Sequence, residues 1–331
     1  MKAVLMTNKG VVVDDLSDPT PRPNEVVIRV RAAGICGTDL AIIKGAYKVS
    51  LPLILGHEFS GEIALVGKHV VNVRPGDRVT SEINISCGQC YYCKVGLRTH
   101  CLHVRALGIT TNGAFAEYVK VPSENVHKIP ESLSDEHAVF VEPLAAAIRT
   151  IMLTRVDPED FVAVIGVGRL GLLIIQVMKL HMAKVIAVGK HLQQLKIAKM
   201  IGADYVVNAT KENPVKRIKE IANGIGADVV VEATGNPNAL NVAIAAAKSR
   251  GSIAVKSTPG LQAKIDLTQV AVRELTVQGS RCGSFSQAIN LLSAKMIHVE
   301  PLISKRFKLV QAPIAFKFAL QPGVIKVLLG N

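Results

Sequence analysis

Over the first 130 residues, short apolar runs rich in β-branched residues are broken by turn residues. "EVVIRVRAAGI" (25–35), "GHEFSGEIALVG" (56–67) and "AFAEYVKVP" (114–122) read as strands, and "RPGDRV" (74–79) as a Pro-Gly-Asp turn feeding another. From about residue 134 the pattern changes. "SDEHAVFVEPLAAAIRTIM" (134–152) predicts one helix, with Ser134 as its N-cap. From 160 to about 278, strands alternate with helices. The strands are "DFVAVIGV", "AKVIAVG", "DYVVN", "DVVVEATG" and "GSIAVKST". Helical runs such as "LGLLIIQVMKLHM", "LQQLKIAKMIG" and "NPNALNVAIAAAKS" lie between them. Such alternation means βαβ units and a parallel, doubly wound sheet. The tail from 279 returns to mixed structure and ends in a strand-like "VIKVLLG". The expected class is therefore α/β, with a doubly wound domain placed late in a chain whose start and end belong together.

With 331 residues, 49 % of them hydrophobic, the chain can build two domains with real cores. Trp is absent and aromatics are only 4 %, so those cores rest on Val, Ile, Leu and Ala. The longest clean apolar run, "LGLLIIQVM", is too short to cross a bilayer, so no membrane partner is expected. The N-terminus "MKAVLMT" runs into the acidic, Pro-rich "DDLSDPTPRP" and has no secretory pattern, so the expected location is cytoplasmic. A net charge of +13 raises nucleic acid as a partner. The basic residues are dispersed, however, with acids among them. A solvated basic surface that also favours an anionic cofactor is the simpler reading.

Four of the six cysteines sit in "SCGQCYYCKVGLRTHC", as Cys87, Cys90, Cys93 and Cys101. Without a route to an oxidising compartment, such a cluster reads as metal ligands rather than disulfides, with a redox cluster as the alternative. Two Cys-x2-Cys steps and a fourth thiolate one loop later match the closed shell of structural zinc. In "FVAVIGVGRLGLLIIQVMKL", Gly166-x-Gly168-x-x-Gly171 follows a buried-type strand and opens a helix. Gly166 permits the tight turn, Gly168 the approach of a pyrophosphate, and Gly171 close packing of helix on strand. Val167, Arg169 and Leu170 complete that turn. The next strand ends in Gly189-Lys190-His191, where dinucleotide sites usually place an acid for the ribose hydroxyls. Loss of the acid, with Lys190 beside it, favours NADP over NAD.

A second constellation comprises Cys36 in "AAGICGTDL", His57 and Glu58 in "LGHEFSG", and Glu142 in "VEPLAAA". Cys, His and Glu together suit a catalytic zinc that keeps one position open. At these residues the chain resembles the zinc-dependent medium-chain alcohol dehydrogenases, in particular polyol, sugar and threonine dehydrogenase-like members. The matching pieces are "GICGTDL", "LGHEFSGEI", "GDRV", the four-cysteine lobe, "VEPLAAAI", "VIGVGRLG" and "VVVEATG", in the family's order. The resemblance implies a GroES-like catalytic domain over 1–145, with its zinc lobe at about 86–102. It implies a Rossmann cofactor domain over 146–278 and a return to the catalytic domain over 279–331.

It further implies two zincs per subunit. Cys36 and His57 match catalytic ligands, and Glu142 the acidic third position. Glu58 matches a neighbouring carboxylate able to exchange with water. Cys87, Cys90, Cys93 and Cys101 match the structural site. Thr38 matches the hydroxyl that passes on the substrate's proton, and Thr234 joins the cofactor residues. Asp39 would brace the zinc site, and Cys282 matches no ligand. Where many relatives carry a relay histidine this chain has Ala41, so the proton needs another exit. The implied reaction is hydride transfer between NAD(P) and an alcohol or the matching carbonyl, in a homodimer or homotetramer. The alternatives are a zinc-free enone or quinone reductase and a nucleic-acid-binding zinc protein. Substrate-facing stretches include "LAIIKGAYKVSLP" and residues near 108–115, where Lys44 and Lys48 either serve an anionic substrate or face water.

Overall fold

The computed structural model describes residues 1–258 and 262–330. The chain divides into two compact units, Met1–Glu142 with the C-terminal segment from Phe285, and Pro143–Ser284.

The first unit is built on a mostly antiparallel sheet. Its central strand, Glu25–Gly34, pairs with Glu58–Val66 and with Tyr118–Pro122. The C-terminal strand Lys326–Gly330 also pairs with it, through Leu328 opposite Gly34 and Leu329 opposite Ala33. The two ends of the chain thus share one sheet. Val26, Ile28, Phe59, Ile63, Val121 and Val327 fill its core and are almost wholly buried. Towards its end the central strand loses the alternation of a half-exposed strand, and Ala32, Ala33 and Gly34 are all buried. Small residues are required there: a Cβ on Gly34 would come within 2.9 Å of the Glu58 carboxylate and 2.6 Å of Val139.

The "RPGDRV" turn is closed by its own aspartate. Arg74 N–H donates to Asp77 Oδ2 at 2.9 Å, and Gly76 takes a φ of +90°, which suits glycine. Lys128 Nζ lies 2.7 Å from the same carboxylate oxygen.

Ser134 caps its helix as expected, its side chain accepting from His137 N–H at 3.2 Å. The single helix expected over 134–152 is broken in two, Asp135–Ala138 and Val141–Leu153. Pro143 explains the break. It lacks an N–H, and its ring would meet the carbonyl four residues back, at Val139. In the first turn of a new helix both defects are tolerated.

The second unit is a six-stranded sheet, parallel throughout. Its order is Tyr205–Asn208, Lys184–Gly189, Phe161–Ile165, Ala227–Glu232, Ala247–Val255 and Thr276–Gly279. This is the doubly wound arrangement. Its strands are continuous Val, Ile and Ala runs because helices cover both faces. The run "NPNALNVAIAAAKS" forms a helix only over Ala239–Ala246, and Ala247 already belongs to the next strand. Pairing with Ala227, and an ion pair from Lys248 to Asp228 across the two strands, override the helical propensity of the alanines.

The start and end of this unit are fastened together. Lys256, buried, donates to Ala146 O at 2.8 Å, Ser280 Oγ at 3.0 Å, Ser280 O at 3.1 Å and Arg281 O at 3.2 Å. Gly283 packs so closely that a Cβ there would stand 1.9 Å from Ala145 O.

The Asp77 contacts set a pH dependence. The hydrogen bond from Lys128, with the Arg74 N–H and both positive charges, holds this carboxyl below its ordinary value. A depressed folded value contributes stability above the unfolded value, and that contribution is lost as pH falls through the folded one. Asp77→Asn should therefore unfold at lower urea than the parent at pH 7, with the gap narrowing as pH falls below the ordinary aspartate range and through the depressed folded value. A gap that stayed constant with pH would contradict this.

Candidate metal and dinucleotide sites

Cys36 stands at the N-cap of the helix Gly37–Ile43, and His57 and Glu58 enter the strand Glu58–Val66. The fold brings one ligand atom from each of Cys36, His57 and Glu58 within 4.8 Å of one another. His57 and Glu58 are almost fully buried. Asp39 supports the cluster from behind. Its carboxylate accepts from Cys36 N–H at 2.8 Å and from Gly56 N–H at 3.3 Å. His57 Nδ1 lies 3.7 Å from Asp39 Oδ1 and has no closer hydrogen bond. Thr38 Oγ1 is 3.9 Å from Cys36 Sγ. Glu142, in the first turn of Val141–Leu153, stands outside this compact group, but its charge acts on His57.

Burial alone would pull the His57 imidazole down. The charges of Asp39, Cys36 and Glu142, with a Cys36 hydrogen bond, outweigh burial and hold it well above its ordinary value. Burial pushes the Asp39 carboxyl up, and the neighbouring Glu58 adds to this against the opposing pull of His57. A largely buried cluster of thiol, imidazole and carboxylates thus favours positive charge at its centre. Its donor set suits a divalent zinc, with Asp39 as the outer carboxylate that orients the imidazole.

Glu58 also pairs with Lys326, which is only 1 % exposed and lies 5.7 Å from the centre of the Phe140 ring. The pattern argument passed over Lys326. Its signal was a lone cation in the otherwise apolar "VIKVLLG".

The second cluster is the cysteine lobe. Cys87, Cys90, Cys93 and Cys101 place their sulfurs within 4.8 Å of one another, and no cysteine is in a disulfide. Backbone N–H groups aim at the sulfurs: Cys87 and His103 each donate to Cys101 Sγ at 3.3 Å. Backbone N–H bonds from Cys93 and Leu102 lower the Cys90 thiol to about 6. Burial and its neighbours push Cys93 up to about 11. A pocket that stabilises one thiolate while crowding the next fits a cation that takes all four.

In the second unit, Gly166 turns with φ +102° at the end of Phe161–Ile165. A Cβ on Gly166 would stand 2.7 Å from Ala233, and one on Gly171 1.9 Å from Gly166 O. Nothing lies within 4 Å of the Cβ position on Gly168, which leaves that side of the turn open to a ligand. Val167, Arg169 and Leu170 complete the turn, and the helix Gly171–Leu180 leaves from it. Thr234 sits at the end of the adjacent strand. Its N–H and hydroxyl both donate to Glu232 Oε1, at 2.7 and 2.6 Å. Glu232, buried and unforeseen, thereby shapes this loop. Gly189 ends its strand and Lys190 is exposed. A Cβ on Gly189 would stand 2.3 Å from Val167 Cγ2, so Val167 packs where an acidic side chain would begin.

Residues 22–131 match the alcohol dehydrogenase GroES-like domain, and residues 170–294 match the zinc-binding dehydrogenase family. The chain is 34 % identical to an L-threonine 3-dehydrogenase of Bacillus velezensis over 99 % of its own length and 98 % of the relative's. The chain belongs to the zinc-dependent medium-chain alcohol dehydrogenase family. It is also 35 % identical to a sorbitol dehydrogenase of Halalkalibacterium halodurans over 99 % of both chains. Among solved structures, it matches a zinc-binding dehydrogenase of Sinorhizobium meliloti bound to NADP. That match has a TM-score of 0.94, 32 % identity, and covers 100 % of this chain and 99 % of that one. As a family member it is an NAD(P)-dependent oxidoreductase acting on an alcohol or the matching carbonyl. The enone-reductase and nucleic-acid readings fall. Among the described residues no helix is long and apolar enough to cross a membrane.

Two outcomes are expected. Lys326→Met strands a buried carboxylate and should cost about 3–5 kcal/mol in urea unfolding. Adding Glu58→Gln should recover part of that cost, and an unchanged midpoint for the single variant would show that the pair is not structural. Cys93→Ser should lower both the melting temperature and the zinc content by atomic absorption, because a four-thiolate site missing one ligand loses metal. Full zinc and an unchanged melting temperature would remove the lobe's metal role.

Proposed function

We propose that this chain oxidises a secondary hydroxyl of a polyol, sugar or similar alcohol, or reduces the matching carbonyl, at a zinc held by Cys36, His57 and Glu58. The observation that carries this reading is the convergence of those three ligand atoms in a largely buried cluster rich in acidic groups. A bound zinc would supply Lewis acidity, lowering the pKa of the substrate hydroxyl.

The other steps belong to the chain's own groups. Asp39 holds the Cys36 backbone and faces the imidazole of His57. Lys326 pins one Glu58 oxygen and so would restrain that carboxylate beside a bound zinc. Glu142 supplies the carboxylate able to replace it. Thr38, beside Cys36, accepts the substrate's proton and passes it on. With Ala41 in place of a relay histidine, the proton leaves through cofactor hydroxyls or water. Cys87, Cys90, Cys93 and Cys101 hold a second, structural zinc, which makes two per subunit.

The cofactor turn is Gly166 to Gly171, with Thr234 beside it, and NADP is favoured over NAD. A 2′-phosphate would meet no acid at Gly189, where Val167 fills the space, and the exposed Lys190 would supply an ammonium for it. The subunit assembles as a dimer or tetramer in the cytoplasm. Among the described residues no strand pairs with the outer edge of Thr276–Gly279, and this edge, with Val277 exposed, suits association.

Titrating the protein with NADPH and NADH and following nicotinamide fluorescence tests the reading. NADPH should bind about tenfold more tightly, with Lys190→Gln removing most of the difference, as expected for one lost charge-assisted contact. Tighter NADH binding would reverse the cofactor assignment, and binding of neither would remove the dinucleotide site.

A further inference from the structure

Two cavities in the first unit carry charges that differ in kind. The larger, of about 870 Å³, is lined in part by Arg31 and Arg306. Both are already neutralised, Arg31 by Glu62 at 2.7 Å and Arg306 by Glu136 at 2.9 Å and Glu300 at 2.8 Å. The smaller, of about 460 Å³, is lined by Tyr47, Lys48, Ser50 and Thr110 around Leu53 and Ile109. No carboxylate lines it, and Lys48 has no ion-pair partner among the described residues.

Both walls of the smaller cavity lead away from the metal cluster. Tyr47 and Lys48 follow the helix that starts after Cys36 and carries Thr38. Ala46 and Tyr47 N–H both donate to Ala41 O in that helix, at 2.9 and 3.2 Å. Ile109 and Thr110 belong to a loop seated on the backbone just before His57. Gly113 N–H donates to Ile54 O at 2.7 Å, and Ala114 N–H to Gly56 O at 2.9 Å. A Cβ on Gly108 or Gly113 would stand 2.5 or 2.2 Å from Gly56 O, so the loop has no freedom to drift from His57.

An exposed ammonium beside the hydroxyls of Tyr47 and Ser50, with no acid lining the cavity, is an anion-recognising set, while the Thr110 hydroxyl is held by the Ala106 backbone, accepting its N–H at 2.7 Å. We propose that this cavity binds a phosphate monoester on the substrate, so that the preferred substrate is a phosphorylated polyol rather than a free one. The proposal rests on the zinc dehydrogenase reading and names the substrate class of that site. A phosphate presents three terminal oxygens to these donors, whereas a carboxylate presents two. An amino acid would bring an ammonium for which the cavity has no carboxylate.

The test uses the zinc-loaded protein with NADP or NAD. Sorbitol, arabitol and galactitol are compared with their terminal monophosphates, and with gluconate as the carboxylate probe. The best phosphate ester should exceed its parent polyol in kcat/KM by at least about tenfold, and Lys48→Met should bring that ratio close to one. Free polyols turned over as well as their esters, gluconate preferred over the phosphates, or a ratio unmoved by Lys48→Met would each overturn the proposal. Binding of the same esters by titration calorimetry, without dinucleotide, separates this question from the dehydrogenase reading. If no alcohol is oxidised, tight ester binding lost in Lys48→Met still supports the cavity's assignment, and equal weak binding by both proteins overturns it.

Discussion

The buried pair of Lys326 and Glu58 is the constraint on which the first unit depends. Neither charge reaches water, and a lone buried ion would cost several kcal/mol. Each therefore requires the other, although they lie 268 residues apart in the chain. The C-terminal strand must be in register beside Glu25–Gly34 before Glu58 can be buried at all. The position of the Glu58 carboxylate is thus tied to the register of the strand Lys326–Gly330. The register that seats Lys326 also requires Gly34, since any side chain there would collide with the Glu58 carboxylate.

Around that pair the site is arranged by charge balance. Cys36, His57, Glu58 and Asp39 gather more acidic than basic groups into a largely buried cluster. The single imidazole responds by holding its proton well above the ordinary range. The cysteine lobe solves the same problem differently, with backbone N–H groups drawing one thiol down to about 6 while a neighbour is driven to about 11. Both clusters are poised for a dication, one through buried side-chain charge and the other through backbone dipoles.

The parts of this fold that rest on period and spacing were legible in the chain. The parallel sheet, the glycine turn and the cysteine lobe each follow from residues close in sequence, whereas the grouping of Cys36, His57 and Glu58, with Glu142 outside it, depends on the fold. What stayed hidden depends on partners far apart. Lys326 and Lys256 look like ordinary lysines in strand-like runs until the segments that pair with them are known. Glu232 reads as the polar end of a strand, yet it organises the loop at Thr234. Pro143 is visible in the chain, and its cost to a continuous helix divides the one expected helix into two. The alanine-rich run ending at Ala246 misled in the opposite sense, because strand pairing prevailed over local preference.

The stitching of Ala145 to Gly283, and of Lys256 to Ala146 and Arg281, has an evolutionary consequence. A nucleotide-binding module whose two ends touch can be spliced into a host as though it were a short hairpin. The host then pays only the entropy of closing a small loop, however long the insert. Such a module can be lengthened, shortened or exchanged for another of different cofactor preference without disturbing the host sheet. The same adjacency would let the insert fold as a closed body while the host waits for its last strand.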